Sequence, residues 1–258
     1  MKMPQYLKKI KNKIKRLSIR LKIKLKLAFK KPKIIYIINN YPTKAKPQRI
    51  IRLENIIHIN FPEIRVKTIH FSEINYYILK NSKGLILTGS SLNVSTFYKD
   101  KNMEYLFRKE LELIKSKYNK PIFAICFGHQ LAAYAFNSKV KRMNYRVVNN
   151  DVSLLQIRLP DELIPHERVY VNLNHKDYVD PYDFALRKNF KIIATLTLDN
   201  YKTVQYMRHK YKPIYSVQFH PENHIGNYHY PPNISDEIID KAKIAGEKII
   251  TDFVKLCL

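Results

Sequence analysis

Tryptophan is absent from this 258-residue sequence, cysteine occurs twice and glycine only five times. Two cysteines, Cys126 and Cys257, cannot build a disulfide framework, and their scarcity fits a reducing compartment. No run approaches the ~18 uninterrupted apolar residues of a spanning helix. The N-terminus is basic but lacks the apolar core of a secretory signal. A soluble, intracellular and cytoplasmic protein is therefore expected. Acids are scarce too: 21 Asp and Glu against 47 Lys and Arg leave a formal net charge of +26.

Such an excess ordinarily points to nucleic acid, an anionic membrane or an acidic partner. Two features weaken that reading. The sequence is rich in Lys, Ile, Asn and Tyr, a bias that AT-rich coding produces without selection for binding. The charge is also uneven: residues 1–33 hold fourteen Lys and Arg and no acid, leaving +12 for the remainder. No specific nucleic-acid binding is expected.

Residues 1–32 read as a basic extension with two registers. Leu7, Ile10, Ile14, Leu17 and Leu21 recur at helical spacing, whereas Leu21, Ile23, Leu25 and Leu27 alternate with Lys or Arg. An amphipathic basic segment can lie on an anionic membrane surface. The alternative is a solvated extension shaped by lysine-rich coding.

After Pro32 the texture changes, and residues 33–258 read as one domain. "KIIYIIN" (33–39), "IRVKTIHF" (64–71), "GLILTGSS" (84–91) and "KPIFAIC" (120–126) read as strands. They alternate with helical patterns over about 46–58, 103–118 and 128–137. This rhythm implies an α/β fold, an open, mixed and mostly parallel sheet with helices on both faces. From 140 to 219 strands follow one another closely and predict an antiparallel portion, and a helix closes the chain over 235–256.

Cys126 lies where a strand meets a helix. A sharp turn there exposes a side chain, and the helix N-terminus favours a thiolate. Such a turn needs small neighbours, and Ala124 and Gly128 supply them. A buried structural cysteine is the alternative. In a chain so poor in glycine, the survivors mark places where the backbone requires them. Gly89 follows the third strand as Gly128 follows the fourth, and in a parallel sheet those turns converge at one edge. The N–H of Phe127 and one near Gly89-Ser90 are thus candidates for an oxyanion hole.

A thiol with an ordinary pKa of about 8.5 needs a base. In "YSVQFHPEN" (215–223) a strand ends on His220, Pro221 fixes the backbone, and Glu222 can orient the imidazole. Taken alone, the three letters fit a strand-capping histidine as well.

Together, "GLILTGSS", "AICFGHQ", "NLNHKDYV" and "VQFHPE" resemble the class I, triad-type glutamine amidotransferases, most nearly the GMP synthase glutaminase and its stand-alone relatives. The resemblance spans roughly residues 33–258 and implies a flavodoxin-like sheet. It implies that Cys126 attacks the glutamine amide, with His220 as base and Glu222 as orienter, forming a glutamyl thioester that water hydrolyses. Gly89, Ser90 and Phe127 match the oxyanion region and Gln130 a substrate-holding position. His175 and Asp177 match an H-x-D element of the GMP-synthase-like branch. No cofactor or metal is implied. The implied partner is a separate ATP-dependent synthetase of the ATP-pyrophosphatase type. A stand-alone γ-glutamyl hydrolase and a binding module anchored by its basic tail are the alternatives.

Three departures accompany the resemblance. The family carries two glycines and a proline where this chain has Gly89-Ser90-Ser91; if the flipping amide of the oxyanion hole sits at Ser90, a positive φ there would cost about 1–2 kcal/mol. Residues 140–150 lack the family's glycines. An extra stretch (227–242) precedes the last helix.

Overall fold

Ile35 and Ile37 of the first strand are buried against one side of the sheet, and Tyr36 and Ile38 against the other. A strand buried on both faces has no polar side to show, which explains its unbroken apolar sequence. The computed structural model describes residues 32–144, 151–224 and 234–258. The chain divides into two units, Met1–Pro32 and Lys33–Leu258. The amphipathic reading of the extension lies outside the described residues, as do 145–150 and 225–233 of the two departing segments.

In chain order the elements are β1 (Lys33–Asn39), α1 (Gln48–Asn60), β2 (Ile64–His70), α2 (Tyr76–Leu79), β3 (Gly84–Leu87), α3 (Lys101–Leu106), α4 (Arg108–Lys115) and β4 (Ile122–Ile125). The chain continues with α5 (Phe127–Ala135), β5 (Val140–Arg142), β6 (Asp151–Gln156), β7 (Arg168–Leu173) and β8 (Asp177–Val179). It ends with α6 (Phe184–Asn189), β9 (Phe190–Leu198), β10 (Tyr201–His209), β11 (Ile214–Val217) and α7 (Asp236–Leu256).

Seven strands form the main sheet in the order β2-β1-β3-β4-β11-β10-β9. β2, β1, β3, β4 and β11 run parallel, and β10 and β9 are antiparallel to their neighbours. The start of that order is the flavodoxin-like one, whose ligand crevice lies at the carboxyl ends of the strands. β5 pairs with β8 and β6 with β7 in two small antiparallel ladders.

Helices cover both faces. α1 and α7 send Ile50, Leu53, Ile250 and Phe253 onto the Ile35 side. α4 and α5 send Leu113, Ile114, Leu131 and Ala132 onto the Tyr36 side. Each buried Ile, Leu or Phe stabilises the fold by roughly 1.5–3 kcal/mol relative to exposure.

The helix expected over 103–118 is two helices. Asp100 caps the first by accepting from the N–H groups of Asn102 and Met103, each at 3.0 Å, so it starts at Lys101. The break falls at Phe107 (φ −92°, ψ 4°), whose ring is fully buried and stacks on Phe71 at 4.1 Å. Core packing of one aromatic overrides a continuous helical pattern there. The short β5, β8, α2 and α6 have no counterpart in the sequence reading, because three to six residues carry too little periodicity to register.

Candidate active site

β4 delivers the chain, buried throughout, to Cys126 at φ 51° and ψ −101°. A residue with a side chain pays about 1–2 kcal/mol for such a backbone, and its surroundings must hold it there. They do. The Cys126 N–H donates to Val217 O at 2.8 Å, and its carbonyl accepts from Gln130 N at 3.0 Å to open α5. Behind it, the Gly128 N–H donates to Thr88 O at 3.2 Å. A Cβ on Gly128 would lie 2.7 Å from Leu87 O, so only glycine lets α5 start this close to β3.

His220 reaches the same place from β11. Its N–H donates to Asn172 O at 2.9 Å, fixing the backbone after the strand. The turn Pro221–His224 then folds Glu222 back, so that the His220 Nδ1–H donates to Glu222 Oε1 at 2.7 Å. That bond assigns the tautomer. The Cys126 side chain also supports protonation of the imidazole, so Glu222, His220 and Cys126 form one buried relay.

Charge in this relay is balanced between opposing effects. Burial and the Arg49 guanidinium push the His220 imidazolium down. Cys126 and Glu222 more than reverse this, and His220 is pushed up to about 9. For Glu222, burial pushes upward, but His220 and then Arg49 hold the carboxyl below its usual range. The arrangement favours a protonated imidazole oriented by a carboxylate.

Arg49 is the participant that sequence reasoning missed. Its Nη1 lies 3.1 Å from Nε2 and 3.2 Å from Nδ1 of His220. An in-plane approach equidistant from both nitrogens would run into Cε1, so the guanidinium sits over the ring face. Arg49 also hydrogen-bonds Tyr41. One of 47 basic residues, in the first turn of an ordinary amphipathic helix, carries no local signal of this contact.

Gly89 packs against the relay: a Cβ there would lie 3.0 Å from His220 Cε1 and 3.6 Å from Cys126 Cβ. Ser90, next in sequence, does not carry the expected strain. Among the described residues only Cys126, Asn137 and Asp199 are non-glycine residues with positive φ. Ser90 Oγ instead accepts from Leu92 N at 3.0 Å, a side-chain turn that an ordinary backbone supports. The strain lies on the nucleophile candidate, not on the oxyanion turn. Among the described residues the N–H groups of Ser90 and Phe127 have no acceptor, and both residues line a cavity of about 20 Å³ beside Cys126.

Gln130, His175 and Asp177 line that same cavity. Gln130 Nε2 donates to Asp177 O at 2.9 Å and to Gln218 Oε1 at 3.2 Å, and His175 Nδ1 lies 3.0 Å from Asp177 O. The Asp177 carboxylate accepts from Ser95 N at 2.7 Å and Ser95 Oγ at 2.9 Å. These side chains tie the segment before β8 to α5 and to the turn after β3. That segment closes over the thiol: Cys126 Sγ lies 3.8 Å from Asn174 O.

Neighbouring groups are unsuited to proton transfer or attack. His129 is buried with Nδ1 2.6 Å from Ser216 Oγ, and burial pushes it down to about 3, so it stays neutral. At the other end of β3, against Gly84, burial pushes the Cys257 thiol up to about 12. Among the described residues no cluster of His, Cys, Asp and Glu could hold a metal ion. A larger apolar cavity of about 420 Å³, walled by Leu163, Ile164, Val169, Ile244 and Ile249, lies between β7 and α7 and includes none of the relay.

A family model described as glutamine amidotransferase class-I matches residues 50–234. A glutamine-hydrolyzing GMP synthase subunit from Methanothermobacter thermautotrophicus is 31% identical over 200 residues, 74% of this chain and 89% of that protein. The arginine-specific small chain of carbamoyl phosphate synthase from Halalkalibacterium halodurans is 35% identical over 120 residues, 46% of this chain. The match spans only 29% of the length of that small chain. Among solved structures, a Thermoplasma acidophilum protein described as a GMP synthase subunit has a TM-score of 0.64 at 21% identity, covering 88% of this chain and 95% of that one. At that identity the likeness is one of fold. No helix among the described residues is long and apolar enough to cross a membrane.

Proposed function

We propose that this chain, which belongs to the class-I glutamine amidotransferase family, hydrolyses the side-chain amide of glutamine at Cys126. His220 takes the thiol proton, and the thiolate adds to the amide carbonyl. The N–H groups of Phe127 and Ser90 receive the oxyanion. Collapse of this adduct breaks the C–N bond, His220 returns its proton to the departing ammonia, and a glutamyl thioester remains. Water, deprotonated by His220, then releases glutamate and the thiol. The observation that carries the reading is the buried relay from Glu222 through His220 to a strained Cys126.

The ammonia would pass to a separate ATP-dependent synthetase. The closed cavity favours this version over a stand-alone γ-glutamyl hydrolase. About 20 Å³ holds a single water, not a glutamine side chain, and Asn174 O lies over the thiol. Docking of a partner that draws the 174–177 segment outward would open the site. Residues 1–32 would add attraction to an anionic surface, read as salt-sensitive binding to phosphatidylserine vesicles that is lost when those residues are removed.

The test is ammonia release from glutamine by the full chain and its Cys126→Ala variant, each with and without an ATP-pyrophosphatase partner. Release that depends on Cys126 and rises with the partner is expected. Equal release by both chains would sink the assignment, and full activity of the chain alone would favour the stand-alone hydrolase.

A further inference from the structure

Thr88 precedes Gly89, and its polar atoms are all engaged. Its N–H donates to Ile38 O at 3.2 Å, and its hydroxyl donates to Gly89 O at 3.0 Å while accepting from Asn40 N at 3.1 Å. Its carbonyl accepts twice, from Gly128 N at 3.2 Å and from Asn40 Nδ2 at 3.1 Å. Asn40 follows β1 and is fully buried, so it joins the ends of β1 and β3 to the start of α5.

The other Nδ2 proton of Asn40 goes to Glu110 Oε1 at 3.0 Å. Glu110 projects from α4 into the interior and is fully buried. Among the described residues its Oε2 and the Asn40 Oδ1 have no partner. A carboxyl so placed loses its water for one hydrogen bond, and burial pushes it up to about 8. For stability alone, an apolar side chain would serve α4 better. What Glu110 does is accept the second Nδ2 proton of an amide whose orientation Thr88 O sets: a flip would put Oδ1 against Thr88 O, acceptor facing acceptor.

We propose that Asn40 and Glu110 are positioning residues for the oxyanion hole, holding the Thr88-Gly89 turn so that the Ser90 N–H is aimed beside Cys126. The inference rests on the proposed function in taking Cys126 as nucleophile and Ser90 N–H as a donor. Without the Asn40 amide, Thr88 O keeps only its bond from Gly128, and the Thr88-Gly89 peptide, one link before the peptide carrying the Ser90 N–H, loses a brace. A displacement of about 1 Å at such a donor lowers rates by up to about 100-fold.

Two reagents separate this role from a general loss of the site. p-Nitrophenyl acetate acylates a thiolate through a tetrahedral oxyanion, expelling p-nitrophenolate and leaving an acetyl thioester. Iodoacetamide alkylates the same thiolate by displacing iodide, with no oxyanion. Asn40→Ala is expected to slow acylation of Cys126 by about 10–100-fold and to leave alkylation within about twofold. Glu110→Leu should share the defect, and Glu110→Gln, which keeps the acceptor, should recover most of it. Acylation by Asn40→Ala at the parent's rate would overturn the proposal, as would equal losses of acylation and alkylation. Should Asn40→Ala fail to fold, Thr88→Val removes the hydroxyl between Asn40 and Gly89, and a parental ratio of the two rates in it overturns the proposal as well. Neither reagent is glutamine, so a parent chain inert toward glutamine refutes the proposed function while the ratio remains readable.

Discussion

Gly89 faces His220 across a gap that is tight for a methyl group: a Cβ at residue 89 would lie 3.0 Å from Cε1 of the imidazole. The ring is pinned by Glu222 on one side and covered by Arg49 on another. Gly89→Ala therefore has to tilt the ring by a few tenths of an ångström or displace its own turn. Glutamine hydrolysis should fall by about 10-fold or more, with thermal stability changed by roughly 1 kcal/mol or less. Steady-state kinetics and a melting curve check both, and unchanged kcat would show that the relay tolerates the shift.

Arg49 opposes protonation of His220 from the ring face. Its removal has a defined sign. In Arg49→Gln the imidazolium loses a repelling charge, so the titration of His220 should move above the parent's value of about 9. In Cys126→Ala the side chain that supports protonation of His220 is gone, so the titration should move down. Histidine NMR titrations of the parent and both variants read these shifts, and movement of Arg49→Gln downward would refute the contact's electrostatic role.

Glu110 makes stability depend on pH in an unusual direction. Its folded pKa of about 8 lies above the unfolded value of 4.5. Between those values the native state holds the extra proton, so this group's contribution to stability falls as pH rises from 4.5 to 8. The slope is at most about 1.4 kcal/mol per pH unit. Glu110→Gln removes the titration. The stability difference between variant and parent should therefore grow in the variant's favour across that window. Urea melts at pH 5, 6.5 and 8 give the measurement, and a constant difference would contradict the burial argument.

The two thiols should separate cleanly under native conditions. Both thiols are buried, but Cys126 borders the small cavity beside His220, whereas Cys257 packs on Gly84 and donates to Phe253 O at 3.3 Å, its pKa pushed up to about 12. Iodoacetamide should label Cys126 in the folded chain and reach Cys257 only in denaturant. Peptide mass mapping distinguishes the sites, and rapid native labelling of Cys257 would refute its inertness.

The sequence by itself determined the framework. Unbroken apolar runs such as 34–38 and 122–125 are readable as doubly covered parallel strands, because burial on both faces leaves no polar position. Scarce glycines marked the turns of Gly89 and Gly128, because a glycine-poor composition keeps the residue where the backbone requires it. The atoms that crowd them, His220 Cε1 and Leu87 O, arrive from distant segments. "FHPE" placed His220 and Glu222 two residues apart, and the fold closes that interval with a hydrogen bond.

Only the tertiary structure decided the rest. Strain was expected at Ser90 and is found at Cys126, because Val217 O and the α5 hydrogen bond, not the local residue types, set that φ. The break at Phe107 follows from where Phe71 lies. Arg49 meets His220 across 171 residues of sequence, and Glu110 meets Asn40 across 70. Local periodicity encodes which face of an element is buried. It does not encode which polar side chain from a distant element arrives there, since that depends on how sheet order and helix placement bring the ends of β1, β3, β4 and β11 to one edge.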